Sequence, residues 1–290
     1  MKKILILLLI FSLFMTGCTA SVSPAQIAAT TLPVYEFTSM LCEGTSLTVA
    51  QLVTEQVSCL HDYSLNVRQV KAAEAAEMIV ISGAGLEEFL DGVLQNSPIL
   101  DASAGIQLLC PEEAHDHEDH DGHHHESDPH IWLSPKNAKI MAQNICSGLT
   151  KQYPQHEAVF TANLETLLAK LDDLQVFGEA QLGELSCREL ITFHDGFAYL
   201  AEAFDLTILE AVEEESGSEA SARELIHLIE EVEHHQLPAI FTEINGSVSA
   251  ADIISRETGA TCFALDMAMS GKSYFDAMYY NIAMIKEALE

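Results

Sequence analysis

The chain has 290 residues, 48% hydrophobic and 20% charged, which is enough apolar material for a sizeable core and enough length for two domains. Its 13 Lys and Arg stand against 44 Asp and Glu, a formal net charge of −31. No basic patch can be drawn on such a chain, so nucleic acid is excluded as a partner, and its field raises the local concentration of cations.

The N-terminus reads as an export signal. Lys2-Lys3 form a basic start and Ile4 to Phe14 an apolar run of about eleven residues, too short to span a membrane as a mature helix. Met15-Thr16-Gly17-Cys18 resembles the bacterial lipobox, whose Cys carries lipid, with Met15 where Leu is usual. The expected location is extracytoplasmic, as a lipoprotein anchored to the cell membrane at Cys18, with a periplasmic or secreted protein as the alternative. Cys42, Cys59, Cys110, Cys146, Cys187 and Cys262 remain after cleavage. None forms a C-x-x-C pair, so a Cys-type zinc site lacks support, while export permits disulfides of unassigned pairing.

Residues 26–32 read as a first strand, 34–41 as a helix, 46–53 as a second strand, 67–76 as a helix and 78–82 as a short buried strand. Gly83-Ala84-Gly85 turns the chain into a predicted helix over 86–94. Residues 136–153 are amphipathic and helical, and Pro154 can open the next helix. From there Phe160, Leu164, Leu167, Leu168, Leu171 and Leu174 form one helical stripe, which predicts a long helix running to about Leu185. A hairpin broken near Gly178 is the rival. The second half repeats the rhythm: strands over 189–193, 206–209, 239–242 and 261–265, helices over 197–204, 221–236, 249–258 and 274–289. Ser221 with Glu224 forms a capping box. Alternation of strand and helix argues an α/β fold: two similar lobes with parallel-rich sheets, 19–153 and 186–290, joined by one linking helix over 154–185, behind a signal at 1–18.

Seven of the 13 histidines lie within 115–130, in a stretch that otherwise holds only Asp, Glu, Gly, Ser and Pro. Such a segment has no means to form core, whereas imidazoles beside carboxylates bind divalent metal. His115, His117, His120, His123, His124 and His125 read as an auxiliary metal-collecting loop. At its end Pro129 restricts Asp128 to extended backbone. His130 therefore enters a structured region just ahead of Trp132, the one Trp in the chain.

His61, His130, His194 and Asp266 each follow an apolar or strand-like segment, two before the long helix and two after it. In α/β lobes ligands bind at the carboxyl ends of strands, and two facing lobes bring such ends to one cleft. His156, His227, His234 and His235 fall on predicted helices and read as solvated faces.

In order along the chain, His61-Asp62-Tyr63-Ser64-Leu65, Gly83-Ala84-Gly85-Leu86-Glu87, Asp128-Pro129-His130-Ile131-Trp132, Phe193-His194-Asp195 and Leu265-Asp266 resemble segments of the metal-binding solute receptors of ABC importers, the cluster A-I family, most closely its zinc members. The resemblance covers essentially the whole mature chain. It implies that His61, His130 and His194 are imidazole ligands to Zn2+, with Asp266 or a water as the fourth. Leu60 stands where some zinc members carry an acidic residue. Glu243 matches a family acidic position and reads as structural. Asp62 and Asp195 are the candidates to hold the imidazoles from behind. Three neutral imidazoles and a carboxylate form a tetrahedral-capable set suited to zinc, and manganese prefers more oxygen. The resemblance thus implies a monomeric receptor, not an enzyme, that hands Zn2+ to a membrane permease. A metal-dependent hydrolase or lyase and a metal-binding adhesin are the alternatives. Against the enzyme, the sequence has no HExxH and no nucleophile elbow.

Overall fold

The computed structural model describes residues 25–55, 57, 60, 63–90, 98–109, 127–212, 220–269 and 271–290. The signal segment with Cys18, the ligand candidate His61 with Asp62, and the His-rich loop fall outside those residues.

The first lobe is built from β1 (Ile27–Ala29), α1 (Leu32–Cys42), β2 (Val49–Gln51), α2 (Val67–Ala75), β3 (Met78–Ile81) and β4 (Ile99–Asp101), then α3 (Pro135–Gln152). The linking helix α4 (Glu157–Leu182) follows. The second lobe holds β5 (Glu189–Thr192), α5 (Ala198–Ala203), β6 (Thr207–Ala211), α6 (Ala222–His235), β7 (Ala239–Glu243), α7 (Ser249–Thr258), β8 (Thr261–Leu265) and α8 (Tyr274–Leu289). The strand orders are β2-β1-β3-β4 and β6-β5-β7-β8, and every pairing is parallel. The two sheets therefore share one permutation, with chain direction across the sheet reversing between β1 and β3 and between β5 and β7.

Side chains in each strand alternate between two cores, as a pleat requires. Ile27, Ala29, Met78 and Val80 face one apolar cluster, and Ala28 and Ile79 face another. Leu190, Ala239 and Phe241 join that same first cluster, while Ile191 and Ile240 face outward under α6 and α7. The inner faces of both sheets thus share one continuous core with α4, through Phe160, Leu167, Leu171, Leu174 and Leu182.

The expected elements are present, with shorter strands in the first lobe, and three differences are instructive. Only a 3-10 turn over Glu88–Leu90 is formed within the predicted helix 86–94, whose later residues lie outside those described. The strand β4 went unpredicted because it is three residues long with an exposed face. The second strand ends at Gln51, so His61 does not directly follow a strand end. In the second lobe the Ser221–Glu224 capping box forms as read. No helix among the described residues is long and apolar enough to cross a membrane. Cys42, Cys146, Cys187 and Cys262 are free thiols, and burial pushes Cys42 up to about 12.

Helix α4 runs unbroken through Gly178, for a packing reason. A Cβ there would lie 2.1 Å from Cε1 of Phe204, so the glycine admits the second lobe against the helix. The helix stops at Gly183, where Arg188 Nη2 donates to the carbonyls of Leu182 and Gly183, both at 2.8 Å. Gly178→Ala should cost about 1–3 kcal/mol by overpacking, visible as a fall of several degrees in Tm.

At the reversal point of the first sheet the strand ends close on each other. Thr31 Oγ1 lies 3.0 Å from Ser82 Oγ. The buried Glu87 carboxylate accepts from Thr30 Oγ1 at 2.7 Å, from Ser82 N at 2.7 Å and from Gly83 N at 3.0 Å. Burial outweighs these bonds and raises Glu87 to about 7. Between about pH 4.5 and 7 the unfolded chain has lost this proton and the folded chain keeps it, so this group's contribution falls as pH rises, by on the order of 3 kcal/mol. Glu87→Gln should therefore gain stability relative to wild type as pH rises through that window. Melting curves of the pair across pH 4.5–7.5 check this, and a constant offset contradicts it.

Candidate metal centre

The site is built at the carboxyl ends of β5, β7 and β8. Beyond Thr192, which pairs with Phe241, strands β5 and β7 part, and each contributes one side chain to the gap. His194 follows β5 and Glu243 ends β7. Histidine Nδ1 and Glu243 Oε1 lie 3.0 Å apart, with both side chains buried. The distance is that of an ion pair, though the ring is turned off the line of a well-formed hydrogen bond. The β7–β8 register then sets Asp266. Glu243 pairs with Leu265, and Ile244 N donates to Leu265 O at 2.9 Å, so Asp266 emerges beside Glu243. Glu243, Asp266, Met267, Met269, Ile244 and Val57 of the first lobe line a cavity of about 10 Å³, room for one water-sized body.

His130 arrives from the first lobe. It precedes the 3-10 turn Ile131–Leu133, and Ser134 then caps α3 with Pro135 in its first turn. Asp128 Oδ1 accepts from His130 N at 2.8 Å and lies 2.8 Å from His130 Nδ1. The carbonyl of Asp128 accepts from the buried Tyr199 hydroxyl at 3.0 Å, and that oxygen accepts from Leu109 N at 2.9 Å. The rings of His130 and His194 meet edge to face with centroids 5.2 Å apart.

Each imidazole has a carboxylate oxygen near Nδ1, hydrogen-bonded at 2.8 Å for His130 and at 3.0 Å without a well-formed hydrogen bond for His194, and a negative charge there favours the tautomer with its proton on Nδ1. His194 Nε2 and Glu243 Oε2 are buried without a hydrogen-bond partner among the described residues. Burial also raises Asp266 above its ordinary range, against a hydrogen bond from Ala268 N. The Lys and Arg salt bridges among the described residues, Lys139–Asp172 and Arg188–Asp205, lie elsewhere. Asp128 and Glu243 thus stand against the two rings, with Asp266 beside Glu243, and no Lys or Arg salt bridge among the described residues reaches them, an arrangement that suits a bound cation.

Of the sequence candidates, the structure places the His130 and His194 rings against each other and sets Asp266 beside Glu243 at the neighbouring strand end. Among the described residues no group of three His, Cys, Asp or Glu side chains is close enough to hold an ion by itself. Two carboxylates not expected in that role stand beside the rings, while Asp62 lies outside the described residues. Asp195 is exposed, and Glu243 occupies the place against His194. For His130 the role falls to Asp128, two residues upstream. Strand register, which brings the end of β7 beside the end of β5, is the signal that would have found Glu243; no local motif carries it.

Two parallel α/β lobes sharing one core with a single long helix, and a histidine pair at their seam, are the architecture of the two-lobed metal-binding solute receptors. The chain belongs to the family described as zinc-uptake complex component A, periplasmic, whose profile matches residues 27–288. It is 28% identical over 310 aligned positions to the zinc-binding lipoprotein AdcA of Streptococcus pneumoniae, covering all of this chain. The chain spans 62% of the length of that relative. It is 30% identical to a putative metal-binding protein of Treponema pallidum, over 87% of this chain and 83% of that one. Among solved structures, ZnuA superposes with a TM-score of 0.79 at 29% identity, covering 92% of this chain and 100% of that one. The Zn(II)-bound ZnuA-like domain of S. pneumoniae AdcA gives 0.76 at 25%, covering 91% and 98%.

Replacing Glu243 with Ala should free His194 Nδ1 and mix the two ring tautomers in the metal-free protein. Long-range 1H–15N NMR of the imidazoles reads this directly, and an unchanged single tautomer contradicts the orienting role.

Proposed function

We propose that this protein is an extracytoplasmic zinc receptor that delivers Zn2+ to an ABC importer and catalyses no reaction. The observation that carries the reading is the His130–His194 pair, buried at the seam, with a carboxylate on each Nδ1. Zinc binding stated for AdcA, and the zinc-bound structures of its ZnuA-like domain and of a ZnuA deletion mutant, support it. In this reading His130 and His194 bind the ion through Nε2, His61 supplies the third imidazole, and Asp266 or a water completes the shell. Asp128 and Glu243 hold the rings. A lipid on Cys18 tethers a monomer beside its permease. Histidines 115, 117, 120, 123, 124 and 125 collect zinc in weaker sites and raise its concentration near the cleft.

The ion is cargo, so it must be held tightly and still leave. Prepaid ring orientation favours capture, because few groups must be ordered when the ion arrives. Zinc titration with a competing chelator should show one tight site and several weak ones. Deleting residues 115–126 should remove only the weak ones, and His194→Ala should remove the tight one. Loss of the tight site on the loop deletion would overturn the division of labour, and an unchanged tight site in His194→Ala would overturn the ligand assignment.

A further inference from the structure

We propose that Asn281 is the positioning residue for the Asp266 carboxylate, and so sets the oxygen ligand of the zinc site. Asn281 lies in the middle of α8, fully buried, among Met278, Ile282 and Ile285, which are buried too. A primary amide in such surroundings is costly unless its hydrogen bonds are made. Both of the bonds it makes go to one residue. Its Oδ1 accepts from Asp266 N at 2.7 Å, and its Nδ2 donates to Asp266 O at 2.7 Å. The backbone of residue 266 is thereby held on both sides just where β8 ends and the sheet stops restraining it.

The side chain is restrained as well. Asp266 Oδ1 accepts from Ala268 N at 2.8 Å, and Ala268 itself takes the left-handed conformation at φ +54°. A non-glycine residue there is uncommon and must be held by its surroundings. What holds it is visible. Met267 O accepts from Trp132 Nε1 at 2.8 Å, and Met269 O accepts from Leu32 N at 3.1 Å. With Oδ1 engaged, Oδ2 is the oxygen Asp266 can offer to an ion. Asn281 thus fixes the base of the segment, and the first lobe fixes its far end. Without the amide, the strand end would relax and the carboxylate would swing on a longer tether.

The inference rests on Asp266 acting as a zinc ligand, and the test separates the two. Zinc affinity is measured by chelator competition for wild type, Asp266→Ala, Asn281→Ala and the double variant, with Co2+ absorption spectra of each. Loss of a residue that orients a metal ligand costs about 10–100-fold in affinity. Asn281→Ala should fall in that range, give the Co2+ spectrum of Asp266→Ala, and add no further loss in the Asp266→Ala background. The near-isosteric Asn281→Asp, which keeps the acceptor and loses the donor, should show a smaller loss and serves if Asn281→Ala does not fold. Wild-type affinity in either Asn281 variant beside a weakened Asp266→Ala overturns the proposal alone. An equal loss with and without Asp266 does the same, since it marks a general packing role. Wild-type affinity in Asp266→Ala removes the carboxylate from the ligand set and the proposal with it.

Discussion

The contact between His194 and Glu243, across the gap where β5 and β7 part, is the interaction the rest of the site depends on. Parallel strands that separate at a reversal point leave their carboxyl ends facing each other without backbone bonds between them. In the first sheet that gap is filled by Thr31, Ser82 and the Glu87 carboxylate, all satisfied internally. In the second sheet it holds an imidazole and a carboxylate that leave buried atoms unpaired. The two lobes have the same topology, and one reversal point is closed by satisfied groups while the other holds buried polar atoms without hydrogen-bond partners.

The second constraint is the seam. Tyr274 OH donates to Trp132 O at 2.9 Å, and Trp132 Nε1 donates to Met267 O at 2.8 Å, so the segment carrying His130 and the segment carrying Asp266 are joined through one indole. Glu36 of α1 reaches across and accepts from Ser273 Oγ at 3.1 Å and from Tyr274 N at 2.5 Å, capping α8 from the other lobe. Phe37 packs edge to face on Tyr274, with centroids 5.0 Å apart. Beneath these bonds lies a core common to both lobes. A hinge between separate cores opens by exposing little apolar surface; here wide opening would divide one core.

Much of this was legible in the sequence, and the pattern of success is physical. The long helix, the capped α6 and seven of the eight strands follow from local periodicity and capping, which a chain carries in consecutive residues. His194 and Asp266 were readable because each stands just past a strand of four or five residues. The strand β4 was not readable, since three residues carry too little period. Glu243, Tyr199 and Asn281 were assigned no orienting role, for another reason. Their partners lie 49, 71 and 15 residues away, as the pairs with His194, Asp128 and Asp266 show. Only the pairing of β7 with β5, and the docking of α5 and α8, bring those pairs together.

The charge of the chain and the chemistry of the site meet in one energetic argument. Asp128 and Glu243 stand against the two adjoining rings and Asp266 lies beside Glu243, and among the described residues no Lys or Arg salt bridge offsets their desolvation. A metal-free protein must bear that cost as part of its native state. Its net charge of −31 adds to it rather than relieving it. A divalent cation removes both terms together, because it neutralises the carboxylates and takes the ring lone pairs that burial has cut off from water. Binding energy is therefore stored in advance in the fold, and the strained Ala268 turn with its cross-lobe bonds keeps it from being lost by relaxation. In the proposed receptor role, such an arrangement would make tightness depend on a few oriented groups whose displacement would release the ion.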